Sequence, residues 1–185
     1  MLHTIASFLD DEALAQAFAA AAAATGTPAA VFDHVPGGRI DPRTRSAEKL
    51  AVDTAIVARL AERLASRAKE LQARFGTAPL VAETPQFLRY RTGDFFVAHQ
   101  DGNTPLIHDD SRFRRVSVVV PLSAPGTYGG GALLIHGTYP DCNLRQEVRV
   151  PPGTLVAFPS ETTHEVTPVT HGERLTVVSW YRVAR

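Results

Sequence analysis

The sequence predicts a mainly β protein, a double-stranded β-helix (jelly roll) braced by two or more α-helices at its N-terminus. Three observations lead to this fold class. The first 80 residues or so carry helical periodicity, the rest of the chain alternates short β-rich runs with Gly, Pro, Asn and Asp, and no helix-length segment separates those runs. Consecutive strands without intervening helices favour an antiparallel sandwich or barrel over a parallel sheet.

Two helical segments are predicted near the N-terminus. Asp10 is a suitable N-cap and acidic residues follow it, as the positive end of a helix dipole favours, while TGTP at 25–28 ends the first segment. A polar break at 34–45 leads to the second segment, which ends at Gly76. The apolar residues of this second segment lie on one helical stripe: Ile56, Leu60, Leu64, Leu71 and Phe75.

The chain beyond residue 80 is predicted to form short strands with turn residues between them. The runs are FLRYR (87–91), FFVAHQ (95–100), RVSVVVPL (115–122), GALLIHG (131–137), EVRV (147–150), TLVAFP (154–159) and RLTVVSWYR (174–182). The length suits one compact domain. We therefore expect a single domain over 1–185, with 1–80 as helical support and 81–185 as the jelly-roll catalytic core.

Composition narrows the function classes. Lys plus Arg and Asp plus Glu both number 19, so no global basic field exists and we expect no nucleic-acid partner. No apolar run reaches the roughly 18 residues of a membrane span, and the Ala-rich stretch 15–25 lacks a preceding basic segment, so we expect no membrane partner and no signal peptide. Cys142 is the single cysteine, which excludes an intramolecular disulfide and predicts a cytoplasmic location.

The run RYRTGDFFVAHQDG (89–102) contains a candidate metal site. Residues i and i+2 of a strand point the same way, so His99 and Asp101 can bind one ion without backbone distortion. A third ligand is available in His164, which lies 65 residues after His99 in FPSETTHEVTPV. A His, Asp and distal His set is the facial triad of non-haem Fe(II), which leaves three coordination positions open. The alternative is that both histidines are ordinary polar residues at strand ends.

An arginine in the last predicted strand adds to this interpretation. Strand alternation places four residues of that run on one face: Arg174, Thr176, Val178 and Trp180. A guanidinium facing an apolar interior needs an anionic partner, because an unpaired buried charge is costly. A dicarboxylate cosubstrate would supply one. The alternative is a protein carboxylate at the rim of the barrel.

A second His-x-Asp sequence, formed by His108 and Asp110, competes with the first. It lies in TPLIHDDSR (104–112), a polar stretch with a proline and no strand alternation. We prefer His99 and Asp101, because ligands on rigid elements hold their geometry better than ligands on loops. The second pair is then expected in a loop, in contact with solvent or substrate.

Several motifs together resemble a known family. They are YRTGDFFVAHQDG, RVSVVVPLS, YGGGALLI and VPPGTLVAFPSETTHEVTPVTHGER, with Trp180 six residues after Arg174. The stretch from about 86 to 183 resembles the catalytic core of the Fe(II)/2-oxoglutarate-dependent oxygenases, in the prolyl 4-hydroxylase-like branch. GGGALLI and VTPVTHGER are particularly similar to bacterial PKHD-type hydroxylases.

This resemblance implies roles for particular residues. It implies that iron is bound by His99, Asp101 and His164. It implies that Arg174 pairs with the distal carboxylate of 2-oxoglutarate and that Tyr90 helps to hold this cosubstrate, with Thr176 as a second donor to the carboxylate. Phe96 stands where relatives often have tyrosine, so a hydrogen bond from that position is absent.

The resemblance also implies a reaction. An Fe(II)/2-oxoglutarate-dependent dioxygenase would use O2 to hydroxylate an unactivated C–H bond of a prolyl or other amino-acid-like substrate, small or peptidyl, with release of succinate and CO2. Ascorbate is a candidate reductant. The carboxylate of Asp101 favours hydroxylation, desaturation or dealkylation over halogenation, and loops 102–112 and 136–147 are expected at the mouth of the site. The alternatives are a non-catalytic metal and 2-oxoglutarate sensor, or a cupin-like metal isomerase or lyase with no need for Arg174.

Overall fold

The computed structural model describes residues 2–31, 38–105, 107–138, 141 and 143–184; Cys142 and residues 34–37 of the predicted polar break lie outside them. The helices are α1 (Asp11–Ala23), α2 (Thr54–Ser66) and α3 (Ala68–Phe75), and a short 3₁₀ helix spans Asp110–Phe113. The strands are β1 (His3–Ile5), β2 (Gly26–Pro28), β3 (Arg45–Ser46), β4 (Glu48–Leu50), β5 (Leu80–Ala82), β6 (Gln86–Tyr90), β7 (Phe95–His99), β8 (Arg114–Pro121), β9 (Tyr128–Gly130), β10 (Leu133–His136), β11 (Arg145–Glu147), β12 (Leu155–Pro159), β13 (His164–Val166), β14 (Val169–Gly172) and β15 (Arg174–Val183).

The strands form two main antiparallel sheets. The larger sheet has the order β1-β12-β8-β15-β6-β4-β2, with β5 also pairing with β15, and the smaller has the order β11-β10-β13-β7-β3. Strands β9 and β14 form a separate pair. Most neighbours in these sheets are far apart in the chain, as in a jelly roll, although β10 and β11 are consecutive. The predicted class, mainly β with N-terminal helices, is confirmed.

The helices begin and end for local reasons. The Asp10 carboxylate accepts a hydrogen bond from the backbone N–H of Ala13 at the start of α1, as the sequence predicts. Asp53 caps α2 in the same way through the N–H of Ala55. The second predicted helical segment is divided at Arg67, where φ is −91° and ψ is −5° and the α-helical hydrogen bonding is interrupted. Helix α3 then ends at Gly76, whose φ of 64° is left-handed.

The N-terminal part also contributes four strands that the helical prediction omitted. Strand β1 pairs with β12, β4 joins β2 to β6, and β3 pairs with β7 of the smaller sheet. These strands have only two or three residues, too few to show a period of two in the sequence. The predicted strand EVRV is also displaced, because the residues that pair with β10 are Arg145–Glu147.

Alternation along the strands divides the apolar core into two layers. One layer packs the helices against the larger sheet, and β15 contributes Leu175, Val177 and Tyr181 to it. The hydroxyl of Tyr181 donates a hydrogen bond to the carbonyl of Leu64, which attaches α2 to this sheet at 2.7 Å. The second layer, which includes Val178, lies between the two sheets and surrounds the candidate site. No helix in the described ranges is both long and apolar enough to cross a membrane.

Candidate active site

The three predicted metal ligands lie together at one end of the smaller sheet. His99 is the last residue of β7 and His164 is the first of β13, and the two are direct partners in the register of these neighbouring strands. Asp101 follows β7 by two residues. One candidate ligand atom from each residue lies within 4.8 Å of the others, and no second group of this kind occurs among the described residues.

Backbone carbonyls orient both imidazole rings. Nδ1 of His99 lies 2.8 Å from the carbonyl of Val97, and Nδ1 of His164 lies 2.9 Å from the carbonyl of Thr162. A carbonyl only accepts, so each Nδ1 carries the proton and each Nε2 presents its lone pair. The Nε2 atoms lie 3.6 and 3.4 Å from the two carboxylate oxygens of Asp101. The donor set is therefore oriented for a metal ion.

The protonation states of His164 and Asp101 also suit metal binding. Burial lowers the pKa of His164 to about 4, although the carboxylate of Asp101 opposes this effect. Burial also opposes ionisation of Asp101, but the neighbouring imidazoles of His164 and His99 and a hydrogen bond from Ser117 hold the pKa of this carboxyl well below its usual range. At neutral pH the site contains a neutral imidazole at His164 and a carboxylate, the forms that bind metals.

Serines on neighbouring strands hold Asp101 in place. The Ser117 hydroxyl on β8 donates to Oδ2 of Asp101 at 2.7 Å, and the Ser160 hydroxyl lies 3.1 Å from that of Ser117. The carbonyl of Ser160 also accepts from the backbone N–H groups of Asp101 and Gly102. A Cβ on Gly102 would lie only 2.4 Å from the carbonyl oxygen of Ser111, so the turn after Asp101 requires glycine.

We expect Ser117→Ala to lower Fe(II) affinity by about 10–100-fold, because loss of a hydrogen bond that orients a metal ligand has effects of this size. Anaerobic equilibrium titration with Fe(II) measures it. Ser179→Ala is the matched control, since Ser179 is equally buried but donates to the carbonyl of Glu83. An unchanged affinity in Ser117→Ala, or an equal loss in both variants, would contradict the role assigned to Ser117.

Aromatic side chains surround the imidazoles. The Phe96 ring stacks on His99 with 3.5 Å between ring centroids, and Phe158 meets His164 edge-on at 4.8 Å. The ligands open into a cavity of about 270 Å³, which is the size of a small molecule. From the loop predicted at the mouth, Ile107 and three neighbours line it, whereas no described residue of 136–147 does.

Arg174 lies behind Tyr90, its direct partner in the register of β6 and β15. The guanidinium carbon is 5.2 Å from the centroid of the Tyr90 ring, and Tyr90 itself lines the cavity. Arg174 is 4% exposed, and its Nη1 is buried without a hydrogen-bond partner. In the described part of the chain no carboxylate pairs with it, so the predicted alternative of an ion pair at the rim is not observed.

Thr176, the predicted second donor to the cosubstrate carboxylate, has a hydrogen-bond partner within the sheet. Its hydroxyl donates to the carbonyl of Val120 at 3.1 Å, and Thr176 does not line the cavity. The hydroxyl hydrogen that we expected Thr176 to donate to a cosubstrate carboxylate is therefore donated within the sheet instead. The alternation predicted for this strand does hold at Val178 and Trp180, which both line the cavity.

The competing His-x-Asp pair lies at the edge of the cavity rather than in the cluster. His108 lines the cavity, while Asp110 is exposed in the first turn of the 3₁₀ helix. The side chain of Asp109 between them accepts from the N–H of Ser111 and caps that helix. Its own helix cap holds this loop, and the predicted contact of the loop with solvent or substrate stays a prediction.

The fold and this cluster of side chains define a class of protein. The family model of the 2OG-Fe(II) oxygenase superfamily matches residues 85–182, and the chain belongs to this superfamily. Among curated proteins it is 38% identical over 102 residues to a PKHD-type hydroxylase of Shewanella sp. (strain MR-7), covering 55% of this chain and 44% of that protein. It is 31% identical over 151 residues to a PKHD-type hydroxylase of Nitrobacter winogradskyi, covering 77% and 63%. The chain spans about half the length of the curated relatives it matches.

Solved structures share the fold. A prolyl-4-hydroxylase of Pseudomonas putida aligns with a TM-score of 0.67 at 22% identity, covering 100% of this chain and 93% of the other. A prolyl hydroxylase of Trichoplax adhaerens, in complex with a hypoxia inducible factor peptide fragment, aligns with a TM-score of 0.76 at 17% identity, covering 98% and 83%. The predicted double-stranded β-helix and the resemblance to the prolyl 4-hydroxylase-like branch are confirmed.

Membership of this superfamily implies Fe(II), 2-oxoglutarate and O2, and the residues fit the first two. Two Nε2 lone pairs and one ionised carboxylate form a donor set suited to Fe(II). The unpartnered Nη1 of Arg174 needs an anion, which a carboxylate of 2-oxoglutarate would provide. In both cases, for Fe(II) and for 2-oxoglutarate, the protein atoms that would bind the group are still incompletely bonded within the described part of the chain.

Three further residues that are not among the predicted site residues support the site. Ser117 is a lone hydroxyl in a run of valines, and this break in apolar character was the available signal. Gly131 has a φ of 59°, and a Cβ there would lie 3.0 Å from Cδ of Arg174, so the glycine leaves room for that side chain. Arg45 lines the cavity from β3, a two-residue strand without a pattern of its own.

Proposed function

We propose that the protein is an Fe(II)- and 2-oxoglutarate-dependent dioxygenase that hydroxylates an unactivated C–H bond and releases succinate and CO2. The observation that carries this proposal is the arrangement of three side chains, His99, Asp101 and His164, at a cavity with a buried arginine behind it that pairs with no described carboxylate. Superfamily membership and the PKHD-type relatives support the same reaction class.

Each residue has a defined task in this reaction. His99 and His164 would hold iron through Nε2, and Asp101 would hold it as a carboxylate kept in place by Ser117. When bound, iron would allow O2 to oxidise two molecules together: 2-oxoglutarate to succinate and CO2, and the substrate C–H bond to an alcohol, with one oxygen atom entering each. Arg174 would pair with the distal carboxylate of the cosubstrate. Phe96 and Phe158 would keep water from the ligands.

Tyr90 is proposed to help hold 2-oxoglutarate. It lines the cavity and lies against Arg174, so a cosubstrate that reaches this guanidinium passes the Tyr90 ring. The backbone pairing of the two residues in β6 and β15 fixes this relation.

The substrate is proposed to be a small molecule or a single side chain of a peptide, prolyl or otherwise amino-acid-like. The cavity of about 270 Å³ admits a group of that size. The Trichoplax adhaerens relative was solved with a peptide fragment. Ascorbate is retained as a candidate reductant, and the balanced charge argues against a nucleic-acid partner.

We further propose that residues 1–185 form one domain, in which 1–80 supports the core formed by 81–185. The pairing of β1, β3 and β4 with strands from the second half supports this division. A cytoplasmic location is proposed from the single cysteine.

Two measurements on the wild-type protein test the proposed function. We expect anaerobic addition of Fe(II) and 2-oxoglutarate to produce a visible charge-transfer band, and admission of air to produce succinate in amounts equal to the 2-oxoglutarate consumed. A band without succinate, with any substrate offered, would indicate a non-catalytic sensor. Metal binding that is indifferent to 2-oxoglutarate would instead favour a cupin-like isomerase or lyase.

A further inference from the structure

Arg45 lies in the wall of the cavity close to the metal ligands. It belongs to β3 and is the direct partner of Phe96 in the register with β7. Its guanidinium carbon lies 4.8 Å from the centroid of the Phe96 ring, and that ring stacks on His99 with 3.5 Å between centroids. One aromatic ring therefore connects the Arg45 charge to the candidate iron site.

The bonding of Arg45 is incomplete. Its Nη1 donates to the carbonyl of Ala30 at 3.1 Å, but its Nε is buried without a hydrogen-bond partner. No carboxylate pairs with Arg45 in the described ranges, and contact with the Phe96 ring compensates only part of a desolvated charge. The guanidinium has both a positive charge and a donor still to be satisfied.

A second arginine in the same wall provides a comparison. Arg114 is 6% exposed, and it forms a paired interaction with the Glu83 carboxylate through Nε at 3.0 Å and Nη2 at 2.8 Å. It also covers the ring of Trp180 at 3.8 Å. The charge of Arg114 is thus compensated within the chain, whereas the charge of Arg45 is not. Of the two arginines that line the cavity, Arg45 has the capacity to bind an incoming anion.

The other charged groups at the cavity do not serve Arg45. Asp101 faces the two ligand imidazoles, and Asp109 caps the 3₁₀ helix through the N–H of Ser111. Arg174 lies behind Tyr90, outside the residues that line the cavity. Among the described residues, two arginines therefore have an unsatisfied guanidinium nitrogen: Arg45 in the wall of the cavity and Arg174 behind Tyr90. The cosubstrate would place its distal carboxylate on Arg174 and its other carboxylate on the iron, so it would satisfy only one of the two guanidiniums.

We propose that Arg45 binds the carboxylate of the primary substrate, which makes this substrate a small carboxylic acid such as a free amino acid. The proposal rests on the proposed oxygenase function. A carboxylate matches the planar donor geometry of a guanidinium, and a cavity of about 270 Å³ holds a small acid. The carbon oxidised lies on the part of the acid that extends from Arg45 toward His99.

The test compares acids with their neutral amides. The probes are the common free amino acids and short aliphatic acids, each beside its primary amide, together with amidated peptides that lack acidic side chains. Succinate formation from 2-oxoglutarate is measured above the rate without a probe, and products are examined for one added oxygen. We expect at least one acid to stimulate turnover at least tenfold more than its amide, because the amide cannot form the charged pair with Arg45.

Three variants assign this preference to one side chain. Arg45→Met keeps the length and the contact with Phe96 but removes the charge, and we expect the ratio of acid to amide stimulation to fall to about one. Arg45→Lys keeps the charge and should retain part of the preference. Arg43→Met is the control, because the Arg43 side chain is 92% exposed, does not line the cavity and, among the described residues, forms an ion pair with Asp41 alone.

The results separate failure of this inference from failure of the proposed function. A wild-type protein without the charge-transfer band and without succinate rejects the proposed function. If the wild-type protein shows the band and forms succinate, two results reject the role of Arg45. One is that amides or neutral peptides stimulate turnover as well as acids do, and the other is that no acid stimulates it. An Arg45→Met variant that keeps the acid preference rejects it as well, since a purely structural residue would alter the overall rate and leave the ratio unchanged.

Discussion

Asp101→Asn is expected to lose more than about 100-fold in Fe(II) affinity and to reduce 2-oxoglutarate turnover to background. Its two carboxylate oxygens lie 3.6 and 3.4 Å from Nε2 of His99 and His164, so both face the position of a shared ion. An amide has no charge and a weaker donor oxygen. Loss of one supporting hydrogen bond alone lowers affinity by about 10–100-fold, so loss of the charged ligand has a larger effect. Anaerobic Fe(II) titration and succinate assays measure the two quantities.

Asp110→Asn is the matched control for this substitution. It removes the same charge from the carboxylate of the second His-x-Asp sequence, which is exposed in the 3₁₀ helix. We expect the charge-transfer band and succinate formation to survive in Asp110→Asn. If the band and succinate formation survive in Asp101→Asn, or are lost only in Asp110→Asn, the iron site would have to be assigned to His108 and Asp110 instead.

Local pattern was sufficient to predict part of this site. A period of two predicts His99 and Asp101 on one side of the chain, although β7 itself ends at His99, and the period in β15 places Arg174 with Val178 and Trp180. The choice of His164 came from the chemistry of the triad and from the resemblance to a family. The structure then shows why it is suitable: β13 and β7 are neighbours, and His164 is the direct partner of His99.

Other parts of the site depend on pairing between strands that are distant in the chain, which no local sequence pattern predicts. Ser117 reaches Asp101 only because β8 and the turn after β7 meet across the two sheets. Arg45 reaches the cavity only because a two-residue strand pairs with β7. Thr176 is a third case: alternation assigns it to a face of β15, but only the pairing of β15 with β8 places the carbonyl of Val120 where it accepts the Thr176 hydrogen. Non-local contacts decide these three positions.

Two buried arginines illustrate the difference between structural and ligand-binding charge. Arg89, 6% exposed, pairs with Glu48 at 2.8 Å and joins β6 to β4 within the sheet. Arg174 is similarly buried but has no carboxylate partner among the residues described, and one of its nitrogens is unsatisfied. A buried arginine that is paired with a carboxylate can contribute to stability or specificity. A buried arginine without such a partner lowers stability until an anion binds to it. This contrast assigns Arg174 to ligand binding.

Arg174→Met is therefore expected to raise the 2-oxoglutarate concentration required for half-maximal turnover by about 10²–10³-fold, because loss of one partner from a buried charge pair costs about 3–5 kcal/mol. Iron binding in the absence of cosubstrate should survive, since Arg174 is not part of the ligand cluster. Succinate formation as a function of 2-oxoglutarate concentration measures the change. Arg91→Met is the control, because Arg91 is half-exposed and its pairs with Glu48 and Glu173 are screened by solvent.

The same substitution makes a second, independent prediction about stability. In the protein without ligand, Arg174 has a buried and unpaired charge, so Arg174→Met should unfold at the same temperature as the wild type or at a higher one. Wild-type protein should gain stability when 2-oxoglutarate is added with Fe(II), by about 2.7 kcal/mol at a concentration 100 times the dissociation constant, and the variant should not gain it at that concentration. A residue that only supports the fold would give the reverse pattern, with the ligand-free variant destabilised and the stabilisation by 2-oxoglutarate retained.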